Sequence, residues 1–234
     1  MRIDKVLSNL QYGSRKEIKQ YIKDGEVTIN GEVVTSPKEH VNPEKDTITF
    51  FGETIFYQSS IILMMNKPMH TVCANHDQQY PTVFTELDEK YKRLDLNSVG
   101  RLDLDTTGLL LLTNDGQLLH QIISPKQDIY KVYEATIDRP FDDVSVLASK
   151  YTLYDQRDRP YTPNNVRVKP ISSHVVEIAI HEGKHHQIKD MVAYFDRNVT
   201  ALKRTQIGRL RLDKNLSPGE VRPLTKEERK SLFN

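Results

Sequence analysis

Four consecutive leucines, Leu109 to Leu112, constrain this chain more than any other stretch. They stand between Gly108 and the turn residues Asn114, Asp115 and Gly116. A run this short and this apolar, closed by turn residues at both ends, predicts a strand buried on both faces. The segment ahead of it, Gly100 to Gly108, carries Arg101, Leu102, Asp103 and Asp105 with no helical period, and predicts a loop feeding that strand. A loop held by a deeply buried strand is a rigid mount for a catalytic carboxylate. On composition alone, Asp103 is more simply a loop aspartate bonded to its own backbone or paired with Arg101.

The 234 residues can hold one large domain, or a small one and a medium one. Lys and Arg number 33 against 32 Asp and Glu, so global charge says nothing about a polyanionic partner. Its distribution says more. Met1 to Lys23 holds six basic residues against two acidic, and Lys184 to Arg211 holds seven against two. Two basic stretches in a near-neutral chain suggest a focused phosphate-facing surface. A single cysteine, Cys73, excludes an intramolecular disulfide and fits a reducing compartment. No apolar run approaches the roughly 18 residues of a membrane span, and the N-terminus has no signal-peptide core, so the expected location is cytoplasmic, with no membrane partner.

Ile3, Val6, Leu7 and Leu10 lie at helical spacing up to Gly13. Ser14 and Glu17 form a capping box, opening a second helix whose apolar stripe is Ile18, Tyr21 and Ile22. Val27, Ile29 and Val33 alternate around Asn30-Gly31, a strong hairpin signal. Short strands are expected over residues 47–50 and 54–57. This compact unit spans residues 1–57, and Arg15, Lys16, Lys19 and Lys23 lie away from its apolar stripe. It resembles the S4-like RNA-binding domain through Arg2, Asp4, Lys5, the Gly13-Ser14-Arg15 turn, Ile22, Gly25, Val27 and Asn30-Gly31. The resemblance implies that the basic second helix packs on RNA, contacting phosphates without reading bases.

After the polar linker Gln58-Ser59-Ser60, a larger α+β domain is expected over residues 61–234. Its strands are expected at 61–65, 109–112, 131–137, 166–168, 175–180 and 201–207. Helices are expected at 118–123, at 140–150, along Ile188, Met191, Val192 and Phe195, and at the C-terminus behind a Thr225/Glu228 capping box.

His181-Glu182-Gly183-Lys184-His185 spells the H-E-x-x-H zinc pattern. That pattern needs a helix to set both histidines on one face, and here Gly183 interrupts it directly after a strand. Cys73 and His76 have no second ligand pair nearby. Neither a metal nor a cofactor is expected, and the chain has no Gly-rich phosphate loop or nucleophile elbow.

Six segments in order remain: Asn66-Lys67-Pro68; Gly100 to Gly116; Lys131-Val132-Tyr133; Glu182 to Lys189; Leu202-Lys203-Arg204 with Ile207-Gly208; and Pro218-Gly219 with Arg222-Pro223-Leu224. They resemble the pseudouridine synthases of the small-subunit ribosomal RNA type, the RsuA family. The resemblance implies a mixed or antiparallel catalytic sheet behind the small RNA-binding domain. It also implies a reaction that breaks the bond between uracil N1 and ribose, turns the base and rejoins it through C5.

The resemblance assigns the nucleophile to Asp103, base stacking to Tyr133 and the basic partner of the aspartate to Lys189. A carboxylate beside a cation stays ionised, and a base buried in folded RNA must be flipped out onto an aromatic face. Arg101, Lys67, Gln187 and Arg204 are expected to contact RNA, together with the basic helix. Lys189 stands where the wider superfamily has Arg, and His70 where members usually have Gly. The Glu182 to Lys189 form favours 16S ribosomal RNA, or a small-subunit assembly intermediate, as the substrate of a monomer. A 23S target and a non-catalytic RNA-binding assembly factor are the alternatives.

Overall fold

The computed structural model describes residues 1–124, 127 and 129–233. The chain divides into two compact units, Met1–Ile61 with Leu87–Asn97, and Ile62–Glu86 with Ser98–Asn234.

In the first unit, α1 (Ile3–Asn9) and α2 (Arg15–Lys23) pack on a small sheet of β1 (Val27–Ile29), β2 (Glu32–Val33), β3 (Ile48–Phe50) and β4 (Glu53–Thr54), in the order β2-β1-β3-β4. The capping box forms in both directions: the Ser14 amide donates to Glu17 Oε2 at 2.7 Å, and the Glu17 amide donates to Ser14 Oγ at 3.3 Å. Asn30 and Gly31 both take positive φ, which a two-residue hairpin turn demands. Ile3, Val6, Leu7, Ile18, Val27 and Ile48 are buried between helices and sheet. The strand expected at 54–57 is the shorter β4, ending at Thr54.

The second unit opens with β5 (Ile62–Lys67). The chain then returns to the first unit through α3 (Glu89–Lys92), whose Tyr91 meets Phe56 edge-on at 5.7 Å between ring centroids. β6 (Asn97–Ser98) leads back. The sequence had placed all of residues 61–234 together; Leu87–Asn97 belongs with the first unit instead, because Leu87, Tyr91 and Leu94 are buried there.

The remaining elements are β7 (Thr106–Thr113), α4 (Gly116–Ile123), β8 (Lys131–Ile137), the hairpin of β9 (Leu153–Tyr154) and β10 (Pro160–Tyr161), β11 (Arg167–Ser172), β12 (Val175–Ile180), α5 (Gln187–Ala193), β13 (Val199–Ile207), β14 (Leu210–Arg211), β15 (Val221–Pro223) and α6 (Lys226–Ser231). The main sheet runs β11-β12-β8-β13-β7-β5-β15, with β14 paired to β13. β13 and β7 are parallel, and the other pairings along this path are antiparallel.

Leu109 to Leu112 lie on β7 between β13 and β5, each fully buried. Leu109 and Leu111 pack on one side with Ile62, Met64, Val99 and Ile122. Residues 140–150 do not form the expected helix. Only a 3-10 turn, Val144–Ala148, is present, because the Asp143 carboxylate takes the Ser145 amide and hydroxyl, and Ser149 bonds back to Val146.

Candidate active site

The loop carrying Asp103 runs directly into β7. It is braced from behind by the segment after β5. The His70 amide donates to Leu104 O at 2.8 Å, and the Leu102 amide donates to Cys73 Sγ at 3.4 Å. His70 holds φ +61°, a left-handed conformation that glycine adopts more easily than histidine. Lys67 is fully enclosed under this loop. Its ammonium donates to Thr106 O at 2.9 Å and Pro68 O at 3.1 Å, and burial pushes its pKa down. The structure therefore gives Lys67 a bracing position and no surface from which to reach RNA.

Lys189 projects from α5 toward the loop. Its Nζ lies 3.2 Å from Asp103 Oδ2 and 2.6 Å from Asp105 Oδ1. Partial burial works against the Lys189 charge, but the two carboxylates outweigh it and raise its pKa. For Asp105, partial burial alone would raise the pKa, and the Lys189 contact holds it below the ordinary value. Asp103 also faces His186, with Nε2 at 3.6 Å from Oδ2. His186 has φ +54°, and its ring stacks on His185 at 3.7 Å between centroids.

Tyr133 comes from β8 and is almost wholly buried. It lines the same cavity as Asp103, Arg101 and Gln187. Arg204 sits directly opposite Tyr133 in the β13–β8 ladder. The buried Arg204 guanidinium donates through Nε to Leu109 O at 2.7 Å and approaches the Tyr133 hydroxyl at 3.5 Å. Among the described residues, Arg204 Nη2 has no hydrogen-bond partner. Close packing enforces this arrangement: at Gly108 (φ +99°) a Cβ would stand 2.2 Å from the Arg204 carbonyl oxygen.

Gln187 is buried. It donates to Glu182 Oε2 at 2.7 Å and accepts from the Lys184 amide at 3.2 Å, so it ties the loop ahead of α5. That loop holds the H-E-x-x-H residues outside any helix, since α5 begins only at Gln187. Arg101 is exposed at the cavity mouth. Arg15, Lys16, Lys19 and Lys23 are exposed on α2 of the first unit.

Four contributors were not picked out from sequence as site residues: Asp105, His186, Cys73 and Lys131. Asp105, His186 and Lys131 lie within the motif segments, which is the available signal. Lys131 is half-buried beside Tyr133, donates to His181 O at 2.9 Å, and has its pKa lowered to about 8 by desolvation and then by Arg204. Asp103, His185 and His186 each offer a ligand atom within 4.8 Å of the others, a set that suits a metal such as zinc. Lys189 already supplies Asp103 with a cation.

The geometry is a half-buried carboxylate in contact with an ammonium, beside an aromatic ring backed by a buried guanidinium. Residues 61–194 match the family model described as RNA pseudouridylate synthase. The chain belongs to that family. Residues 1–48 match the S4 domain. The chain is 40% identical over 230 residues to the Uncharacterized RNA pseudouridine synthase YtzG of Bacillus subtilis, covering 97% of this chain and 96% of that protein. It is 38% identical over 235 residues to Ribosomal small subunit pseudouridine synthase A of Yersinia pestis, covering 97% and 96%. A solved structure titled "Crystal structure of pseudouridylate synthase" superposes with a TM-score of 0.68 at 34% identity, covering 99% of both chains. As an RNA pseudouridine synthase of this type, the chain joins an S4 domain to a sheet-dominated catalytic unit.

Proposed function

We propose that this enzyme converts one uridine of 16S ribosomal RNA to pseudouridine, with Asp103 as its nucleophile. The observation that carries the reading is the placement of the Asp103 carboxylate against Lys189, in the cavity that Tyr133 also lines. The flipped base rests on the Tyr133 ring, and Asp103 attacks C1′ as the N1 glycosidic bond breaks; the turned base then bonds to C1′ through C5 and displaces the carboxylate, and C5 loses its proton while N1 gains one. Lys189 sets a positive charge 3.2 Å from the attacking carboxylate and holds it in place. Arg204 holds Tyr133 from behind. Uridine and pseudouridine are isomers, so the reaction consumes no co-reactant.

The small-subunit assignment is supported by relatives carrying that name at 36% to 38% identity over nearly the whole chain. The exposed α2 face supplies phosphate contacts, and the enzyme works as a cytoplasmic monomer on free RNA or an assembly intermediate.

The test is to incubate purified protein with 16S transcript and map pseudouridine chemically. Wild type should modify one site. Asp103→Asn should abolish modification and leave RNA binding within a few-fold. Substantial turnover by the Asn variant would remove Asp103 from its role.

A further inference from the structure

The basic stretch from Lys184 to Arg211 is continuous in sequence, but the sheet divides it. Side chains alternate across a strand, so register assigns each residue to a face. Tyr133, Ile178 and Arg204 stand opposite one another on β8, β12 and β13, on the catalytic face. Val132 pairs with Ala179 and Gln206, and this row faces the other way. β11 extends the row with Arg167 opposite Ala179, and β14 extends it with Arg211 opposite Gln206. A single line therefore crosses five strands with an arginine at each end. Four interstrand spacings of about 4.8 Å put those ends about 19 Å apart.

This line floors a cavity of about 530 Å³. Lys169 and Arg209 also line it. Among the described residues its lining holds four cations against one carboxylate, Glu177, in a chain whose overall formal charge is only +1. Tyr130 stands at its side with the Arg167 guanidinium 4.1 Å from the ring centroid. The Gly208 amide bonds to Tyr130 O at 2.8 Å, which fixes the turn carrying Arg209 to the segment carrying Tyr130.

We propose that this cavity, on the sheet face opposite Tyr133 and Arg204, is a second RNA-binding surface that takes a single-stranded segment. The cations are spread along a floor rather than converged on a point. That suits successive phosphates of a strand better than one isolated anion. An aromatic ring stacked with a guanidinium is a platform for a base, which an acidic protein segment would leave unused. The small side chains of the floor, Ala179 and Val132, leave room for bases to lie flat. This goes beyond the catalytic reading and uses none of its residues.

The test uses the full chain with Arg209→Glu and Arg211→Glu together, and Lys169→Glu as an independent second variant. Circular dichroism should show native folding, since Arg209 and Arg211 are exposed. Anisotropy of a labelled single-stranded RNA is then titrated across salt. Each phosphate contact contributes about 0.7 to the slope of log affinity against log salt, so the double variant should lose about 1.4. RNA carrying 4-thiouridine should crosslink to the Tyr130 peptide in wild type and in Asp103→Asn, and lose that crosslink in the double variant. Unchanged slope with no crosslink at Tyr130 would overturn the proposal. Displacement of the RNA by polyglutamate of equal charge, at equal concentration, would overturn the assignment to nucleic acid. Because Asp103→Asn leaves this binding intact, failure here is distinct from failure of the catalytic reading.

Discussion

Lys189 Nζ lies 3.2 Å from Asp103 Oδ2, and this one ammonium also reaches Asp105 at 2.6 Å. Lysine cannot form the bidentate fork that arginine offers a carboxylate. Here it bridges two carboxylates as a point charge. Lys189→Met should lower kcat about tenfold or more with KM little changed, because the ammonium acts on the carboxylate and not on RNA. Lys189→Arg should retain most activity. Release of the C5 hydrogen from labelled uridine measures both. A Met variant with wild-type kcat would remove the ion pair from the mechanism.

The same pair has a pH signature. The Lys189 pKa is raised, so its contribution to stability is full below the unfolded lysine value and is lost only as pH climbs through the folded value. Lys131 behaves in the opposite sense. Its folded pKa of about 8 lies below the ordinary 10.5, so between these values the unfolded chain binds more protons and Lys131 makes stability rise with pH. Urea midpoints of wild type should rise relative to Lys131→Met between pH 8 and 10. Parallel profiles for the two proteins would show that Lys131 is not a depressed lysine.

Chelation separates the metal-competent cluster from the chemistry. EDTA should leave turnover unchanged, since Lys189 already supplies Asp103 with a cation. Added zinc should inhibit, because Asp103, His185 and His186 can close on it. His185→Phe should weaken that inhibition without lowering metal-free turnover. Activity lost in chelator and restored by zinc would make the cluster part of catalysis.

Gly108→Ala tests the packing beneath Tyr133. The position needs φ +99°, and the new methyl would collide with the Arg204 backbone. Strain and overpacking together should cost about 3 kcal/mol or more, read as a lowered urea midpoint. Turnover of the folded fraction should fall as well, because Arg204 stands opposite Tyr133. Wild-type stability in this variant would mean that the β7–β13 contact is looser than described.

What was legible in the sequence was local. Leu109 to Leu112 announced a doubly buried strand, and Ser14/Glu17 and Thr225/Glu228 announced caps, because those signals involve residues three or four apart. The neighbourhood of Asp103 and Lys189 became legible only through the order of the motifs, since 86 residues separate the two. Three features were not legible. Leu87–Asn97 returns to the first unit because of burial, which leaves no local mark beyond a few apolar residues. The basic stretch splits between sheet faces because of strand register, and a bulge between Arg204 and Gln206 shifts that register by one residue. His186 meets Asp103 through a left-handed backbone that its residue type does not announce.

The return of Leu87–Asn97 determines how the RNA role of the first unit should be tested. Deleting residues 1–57 would strip Tyr91 of Phe56, and Arg93 of Tyr12 and Gln11. The fragment would then expose Leu87, Tyr91 and Leu94, and its loss of activity would reflect aggregation as much as lost RNA contacts. Substituting Arg15, Lys16, Lys19 and Lys23 by Gln in the full chain avoids this. All four are exposed, while the α2 contacts through Ile18 and Ile22 are untouched. At about 0.7 per phosphate contact on single strands, losing three or four contacts should flatten the salt slope of ribosomal RNA binding by about two to three. Affinity should fall most at low salt, where the electrostatic contribution is largest. Turnover at saturating RNA should be spared, because Asp103, Tyr133 and Lys189 all lie in the second unit. An unchanged slope and affinity would show that the α2 face is not the RNA anchor, and the second unit would then have to supply that function through its own basic residues.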